Sequence, residues 1–219
     1  MTQFRTFTHA EAFAPTPGEV SVGIDYRDQN FSFTRGWFRV RNQATWSSKL
    51  LPEFGDGRPV RMVQIGVFEG MDLVWCCQNL LKHPNSRAVA IDPWAATTKL
   101  DAVTMEDVCS RAYRNLYPWR RKVEVMRGYS NDVLPTLDEG AFDLLIVDGD
   151  HNSLPVLQDA VNCLRLAKMG GLLVFDDVRN RVKKKDHVED GLRMFVEQHG
   201  PRIEFAWAHR YADAYRKVR

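Results

Sequence analysis

The sequence contains no apolar run approaching the about 18 residues that a membrane-spanning helix requires, which sets aside a membrane partner. Its first twenty residues, MTQFRTFTHAEAFAPTPGEV, hold no apolar stretch of signal-peptide length, so a cytoplasmic location is expected. Cysteine is scarce. Cys76, Cys77, Cys109 and Cys163 include no C-x-x-C pair, which argues against a zinc cluster. Three of them fall on apolar helical faces, as small hydrophobes do in a reduced compartment. Neither sign of charge dominates: 30 Lys and Arg oppose 28 Asp and Glu, and the formal net charge of +2 offers no field to draw nucleic acid. Missing too is any G-x-G-x-x-G run, the turn that sets a pyrophosphate on a helix N-terminus, which disfavours a nicotinamide or flavin dinucleotide.

What is present suffices for one domain. The chain has 219 residues, 44% of them hydrophobic, enough for a single full core with a short appended segment. Residues 1–58 read as that segment, an arm followed by a helix. The arm carries Pro15, Pro17 and Gly18, and the helix places Trp46, Leu50 and Phe54 at a spacing of four. From residue 60 to the end, strand and helix alternate. Short apolar runs at 60–67 (VRMVQIGV), 88–91 (AVAI), 123–126 (VEVM), 142–147 (FDLLIV) and 172–175 (LLVF) read as strands covered on both faces. Helices are expected from about 71, at 104–117, from Ser130, at 154–168 and at 186–199, with Met169-Gly170-Gly171 ending the fourth. Residues 202–208 and 211–218 read as two closing strands. The pattern predicts an α/β, Rossmann-like, doubly wound and mostly parallel seven-stranded sheet with an antiparallel last strand, in residues 59–219.

Right-handed crossovers put every parallel strand's carboxyl end on one edge, where ligands bind. Each run ends there in Gly or Asp: Gly66 to Gly70, Asp92, Gly128 to Ser130, Asp148 to His151, and Asp176 with Asp177. The G-x-x-x-G turn lets backbone approach a ligand closely, and it equally serves as a tight strand-to-helix turn. Asp92 is placed to accept from both ribose hydroxyls of a nucleoside cofactor, or to order the turn before Pro93. Gly128 and Ser130 suit an adenine edge, with Ser130 also a helix N-cap. Asp148, Asp150, Asp176 and Asp177 would repel unless a cation sits among them, and hard oxygen ligands suit Mg²⁺, Mn²⁺ or Ca²⁺. His151 is a candidate ligand or general base. The same acids also suit helix caps facing solvent.

The stretches VQIGVFEGM, AIDPW, GYSNDVLPTL, IVDGDHNS and GGLLVFDD stand in one order over residues 60–177, and together they resemble the class I S-adenosylmethionine-dependent methyltransferases. The nearest likeness is to the group typified by macrocin O-methyltransferase and the cephalosporin-tailoring methyltransferases. The resemblance implies that Gly66 and Gly70 approach the methionine end of S-adenosylmethionine. It implies that Asp92 holds the ribose with Trp94 nearby, and that Ser130 lies by the adenine. It places a divalent metal on Asp148, Asp176 and Asp177, with Asp148 also near the cofactor, and a base at Asp150 or His151. One departure stands out. The family carries an acid two residues before the first glycine, where this chain has Gln64, so pairing with the cofactor's ammonium passes to Glu69 or to water.

The implied activity is metal-assisted O-methylation of a small molecule. The alternatives are metal-independent transfer, or a non-catalytic nucleotide-binding module with the same fold. An RNA substrate is disfavoured, because the Asn/Asp-Pro-Pro-aromatic motif of base amino-methylating enzymes is absent. Five of the seven residues at 179–185 (RNRVKKK) are basic, which suits an anionic acceptor or a solvated loop. Phe31, Phe33, Trp37, Phe38 and Trp46 form a dense aromatic group, read as core packing, as a lid over the acceptor, or as the contact of a homo-oligomer.

Overall fold

Side chains alternate across a strand, so a run that is apolar throughout must be covered on both faces. In the computed structural model, which describes residues 2–7, 11, 21–27, 30–97, 100–179 and 187–219, that alternation divides the core in two. Met62, Ala88, Ala90, Leu144, Ile146, Leu172 and Val174 face one apolar cluster. Their strand neighbours Val63, Ile65, Val89, Ile91, Leu145, Val147, Leu173 and Phe175 face the other.

The strands are β1 (Arg61–Ile65), β2 (Arg87–Asp92), β3 (Val123–Arg127), β4 (Phe142–Val147), β5 (Ala167–Phe175), β6 (Ile203–His209) and β7 (Ala212–Lys217). They form one sheet in the order β3-β2-β1-β4-β5-β7-β6. Neighbours from β3 to β5 pair in parallel, and β7 runs antiparallel to both β5 and β6. This is the doubly wound α/β architecture expected from the sequence.

The helices are α1 (Trp37–Arg41), α2 (Gln43–Lys49), α3 (Leu51–Phe54), α4 (Met71–Asn79), α5 (Ala102–Leu116), α6 (Ser130–Val133), α7 (Ser153–Leu166) and α8 (Val188–His199). Helix α4 is buried nearly all round, which explains its unbroken apolar stretch LVWCC. The sheet covers one side of it and the chain around residues 22–25 the other, where Trp75 Nε1 donates to Val22 O at 2.7 Å and the Asp25 amide to Gln78 Oε1 at 2.9 Å. Trp46, Leu50 and Phe54 are buried in the same cluster as Met62, but the single helix expected for them is two short ones, α2 and α3, that meet at Leu50. All four cysteines are buried and free.

One boundary differs from expectation. Helix α7 ends at Leu166, and Ala167 turns directly into β5 with φ −64° and ψ 136°. Met169-Gly170-Gly171 therefore does not end the helix. It forms an irregularity inside the strand, with Gly170 at φ +78° and the β4–β5 register shifting between Phe142 and Leu144. Among the described residues no helix is long and apolar enough to cross a membrane.

Candidate active site

The strand order reverses its progress at β1, which lies between β2 and β4, and the carboxyl ends of these strands are joined edge to edge. The Gly66 amide donates to Ile91 O at 2.9 Å, the Asp148 amide to Ile65 O at 2.9 Å, and the Asp176 amide to Val147 O at 3.0 Å. The expected convergence of Gly66, Asp92, Asp148 and Asp176 thus exists as a hydrogen-bonded row at the topological switch point, where open α/β sheets bind ligands.

Gly66 is required there twice over. Its φ of +82° favours glycine, and a Cβ would stand 1.9 Å from Asp148 O. The turn to α4 continues through Phe68 at φ 51° and Gly70 at φ 78°. Asp92 supports it from below. Oδ2 accepts from the Val67 and Phe68 amides at 2.8 and 3.0 Å, and Oδ1 from the Trp94 amide at 2.7 Å. Asp92 therefore stands at the glycine turn, with both oxygens engaged by backbone. Trp94 is buried at φ 42°, donates Nε1 to Phe68 O at 2.8 Å, and lies 6.0 Å from the Tyr113 ring. Trp37 packs on Phe68 from outside, ring centroids 4.8 Å apart.

Gly128 closes onto β2, its amide donating to Asp92 O at 3.1 Å. Ser130 is the first residue of α6, with Tyr129 in the capping position expected for Ser130. Its side chain hydrogen-bonds Asp159 of α7, whose carboxyl burial pushes up to about 6. Asp159 Oδ2 lies beneath Gly149, 3.8 Å from where a Cβ would be.

Glu69 is buried, but it faces the N-terminal segment. The Thr34 amide and hydroxyl each donate to it at 2.7 Å, and Arg111 Nε lies 3.5 Å away. Gln64, fully buried, faces α4. Its Nε2 donates to Gly66 O at 3.0 Å and to Asp72 Oδ2, while its Oε1 has no partner. Burial raises the Asp72 carboxyl to about 7.

The acidic cluster divides. Asp148, His151 and Asp177 each offer a ligand atom, all within 4.8 Å of one another. His151 Nε2 lies 3.9 Å from Asp148 Oδ1 and Nδ1 lies 3.7 Å from Asp177 Oδ2. Asp177 holds φ 54°, a strained backbone for a residue other than glycine, of the kind that gathers at functional sites. Asp150 is turned away, accepting from the Asn152 amide at 2.8 Å and Nδ2 at 2.6 Å. Asp176 accepts from Asn42 Nδ2. The two carboxylates are hard oxygen donors that fit a divalent cation, and the imidazole stands between them. The Gly66 cradle and the buried Gln64 acceptor fit the amino-acid end of a nucleoside cofactor.

Of the basic run, Arg179 is committed to a buried ion pair with Asp213 at 2.6 Å and to Ala212 O at 2.9 Å. The rest of that run, 180–185, lies outside the described residues. Three further residues border this arrangement: Asp72 beside Gln64, Asn42 beside Asp176 and Asp159 beneath Gly149. Asp72 had a signal in the sequence, a lone acid opening an apolar helix. Asn42 and Asp159 had none.

The sheet is doubly wound, with a glycine turn and an acidic strand end at the switch point where open α/β sheets bind their ligands. Residues 63–178 match the model of a methyltransferase domain family, and the chain belongs to that family. It is 30% identical over 121 residues to a protein of Mycobacterium tuberculosis named catechol O-methyltransferase, covering 54% of this chain and 48% of that one. The chain spans about half the length of the curated relatives it matches. Among solved structures it resembles the O-methyltransferase TomG from Streptomyces achromogenes, in complex with S-adenosylmethionine, at 22% identity, TM-score 0.59 and 80% coverage of each chain. It also resembles an O-methyltransferase from Bacillus cereus, in complex with S-adenosylhomocysteine, at 19% identity, TM-score 0.53 and coverage of 73% and 74%.

Proposed function

We propose that the protein transfers a methyl group from S-adenosylmethionine to an oxygen of a small molecule, with a divalent cation assisting, in the manner of the macrocin-like tailoring enzymes. One observation carries this reading: the glycine turn and the acidic cluster touch. Gly66 packs directly on Asp148 O, so a ligand on the turn lies beside Asp148, His151 and Asp177.

When bound, the donor supplies a methyl group activated on sulfonium, and a divalent ion supplies a lower pKa for an acceptor hydroxyl. The chain's part is positioning, which contributes up to about 7–11 kcal/mol in well-oriented reactions. Gly66 and Gly70 admit the donor's backbone-like end, and Asp92 keeps the turn in shape. Asp148 and Asp177 would hold the cation, here taken to be Mg²⁺, and orient an acceptor with two adjacent oxygens. The name of the M. tuberculosis relative supports such an acceptor. His151, between the two carboxylates, takes the acceptor's proton at a ring nitrogen. Asp150 is engaged by Asn152 and is the less available of the two. The remaining basic residues of the run, Arg181, Lys183, Lys184 and Lys185, favour an anionic acceptor.

A second reading dispenses with the cation. The 3.7 and 3.9 Å approaches of His151 to Asp177 and Asp148 are ion-pair distances, so the imidazole alone satisfies the two acids when protonated. Calorimetry with S-adenosylmethionine, with and without Mg²⁺, separates the readings, followed by transfer assays in excess chelator. Asp148→Asn and Asp177→Asn are expected to abolish metal-stimulated transfer and to leave donor binding intact. Full activity in chelator removes the cation from the proposal. No donor binding leaves a nucleotide-binding module without catalysis.

A further inference from the structure

Gln64 stands where the resembled family carries an acid, and the charge it would have supplied has a place on the next element. We propose that Asp72, held by Gln64, is the carboxylate that receives the α-ammonium group of the methyl donor. The proposal rests on the methyl-donor reading above and names a residue for its amino-acid end.

Gln64 lies on the face of β1 that looks toward α4, and Asp72 lies in the first turn of α4. The Gln64 amide spans the glycine turn by donating at once to Gly66 O and to Asp72 Oδ2. Both its hydrogen bonds go to acceptors, which fixes which end of the amide is nitrogen. Its Oε1 is left buried without a partner. Asp72 accepts otherwise from the Leu73 amide at 2.8 Å, and no cationic side chain among the described residues pairs with it. A carboxylate offers about four acceptor positions, and a buried one without a cation is costly. The burial that raises Asp72 to about 7 is the mark of that cost. A primary ammonium brings three donors and a positive charge. Asp72 and Gln64 Oε1 together present one charged and one neutral acceptor for it, beside the turn that Gly66 opens.

The other acids near the turn are engaged. Glu69 is held by Thr34 and Arg111, Asp92 by three backbone amides, and Asp176, the acid whose charge acts on Asp72, by Asn42, while Asp148 and Asp177 stand around His151. The negative charge has thus moved from the strand to the helix, while Gln64 remains to orient it.

The test is calorimetric titration of S-adenosylhomocysteine, which keeps the ammonium, and of 5′-methylthioadenosine, which lacks the whole amino-acid end. Asp72→Asn is expected to weaken the first by at least about tenfold, the loss of a charge-assisted hydrogen bond, and to change the second less than twofold. The double variant Gln64→Glu with Asp72→Ser returns the charge to the strand and is expected to bind S-adenosylhomocysteine within about threefold of the parent. That variant carries the test if Asp72→Asn does not fold. Unchanged S-adenosylhomocysteine affinity in Asp72→Asn overturns the proposal, as does a parallel loss for both ligands, which marks a structural role. If the double variant keeps 5′-methylthioadenosine but loses S-adenosylhomocysteine, the proposal also falls. Failure of the parent protein to bind either ligand overturns the methyl-donor reading itself, a different result from any of these.

Discussion

Asn42, between α1 and α2, donates its side-chain amide to the carboxylate of Asp176 at the end of β5, and both side chains are buried. The segment that precedes the sheet therefore reaches the edge where the ligands are proposed to sit. Removing the donor leaves a buried carboxylate oxygen short of a hydrogen bond, so Asn42→Ala is expected to cost about 1–3 kcal/mol of stability. Asn42→Asp, which sets a second carboxylate against Asp176, is expected to cost more. Urea midpoints of the two variants, compared at unchanged slope, check the order.

Glu69 ties the same segment to the glycine turn. It accepts from both the amide and the hydroxyl of Thr34, and Asn115 reinforces the tie, its Nδ2 within 2.9 Å of both Ser32 O and Glu69 O. Glu69→Ala removes one anchor of residues 31–35 without touching the sheet. It is expected to lower stability by about 1–3 kcal/mol and to speed proteolytic cleavage between residues 21 and 35 under native conditions. Limited proteolysis followed by mass mapping reads this directly. Cleavage unchanged in rate and position would show that aromatic packing alone, such as Phe31 on Trp119 with ring centroids 5.9 Å apart, holds the segment.

The sheet was legible in the sequence because its parallel strands are continuous apolar runs punctuated by Gly or Asp, and position along such runs decides which residues meet at one edge. That logic located Gly66, Asp92, Asp148 and Asp176 as neighbours. It failed at Gly170-Gly171, where residues that commonly stop a helix instead bend a strand, since punctuation alone does not say which element it interrupts. Side-chain commitments were less legible. Thr34 with Glu69 and Asn42 with Asp176 join residues 35 and 134 positions apart, and nothing local encodes such pairs. Asp72 was visible, but an acid in a first helical turn is ordinarily explained by the helix dipole, and only its contact with Gln64 sets it apart.

Gly66 and Gly57 make a controlled comparison. Both have positive φ, +82° and +87°, but a Cβ on Gly57 meets nothing within 4 Å, while one on Gly66 would lie 1.9 Å from Asp148 O. Gly57→Ala is expected to cost only the backbone strain, about 1–2 kcal/mol. Gly66→Ala adds a collision with backbone that cannot move without parting β1 from β4, and is expected to cost upward of about 4 kcal/mol or to prevent folding. Thermal melts of the pair, with expression yield as the fallback for Gly66→Ala, check the difference.

Asp72 and Asp159 should make the protein less stable as the pH rises. Burial lifts their carboxyls from 3.8 to about 7 and about 6. Between the unfolded and folded values the native state holds protons that the unfolded chain has released, so each group's contribution is fully present below about pH 4 and is lost as pH climbs through its folded value. Exposed acids such as Asp25, lowered to about 2 by its hydrogen bonds with Arg27, act in the opposite sense at lower pH, so the wild-type curve alone does not isolate the effect. The difference between wild type and Asp72→Asn does. An amide fills the same space with no charge to bury, so the variant should gain on the wild type as pH rises from 4 to 8, by on the order of 1–3 kcal/mol across the window. Urea unfolding of both proteins at pH 5 and pH 8 without ligand measures the gain, and a difference that does not change with pH would mean that Asp72 titrates as a solvent-exposed acid.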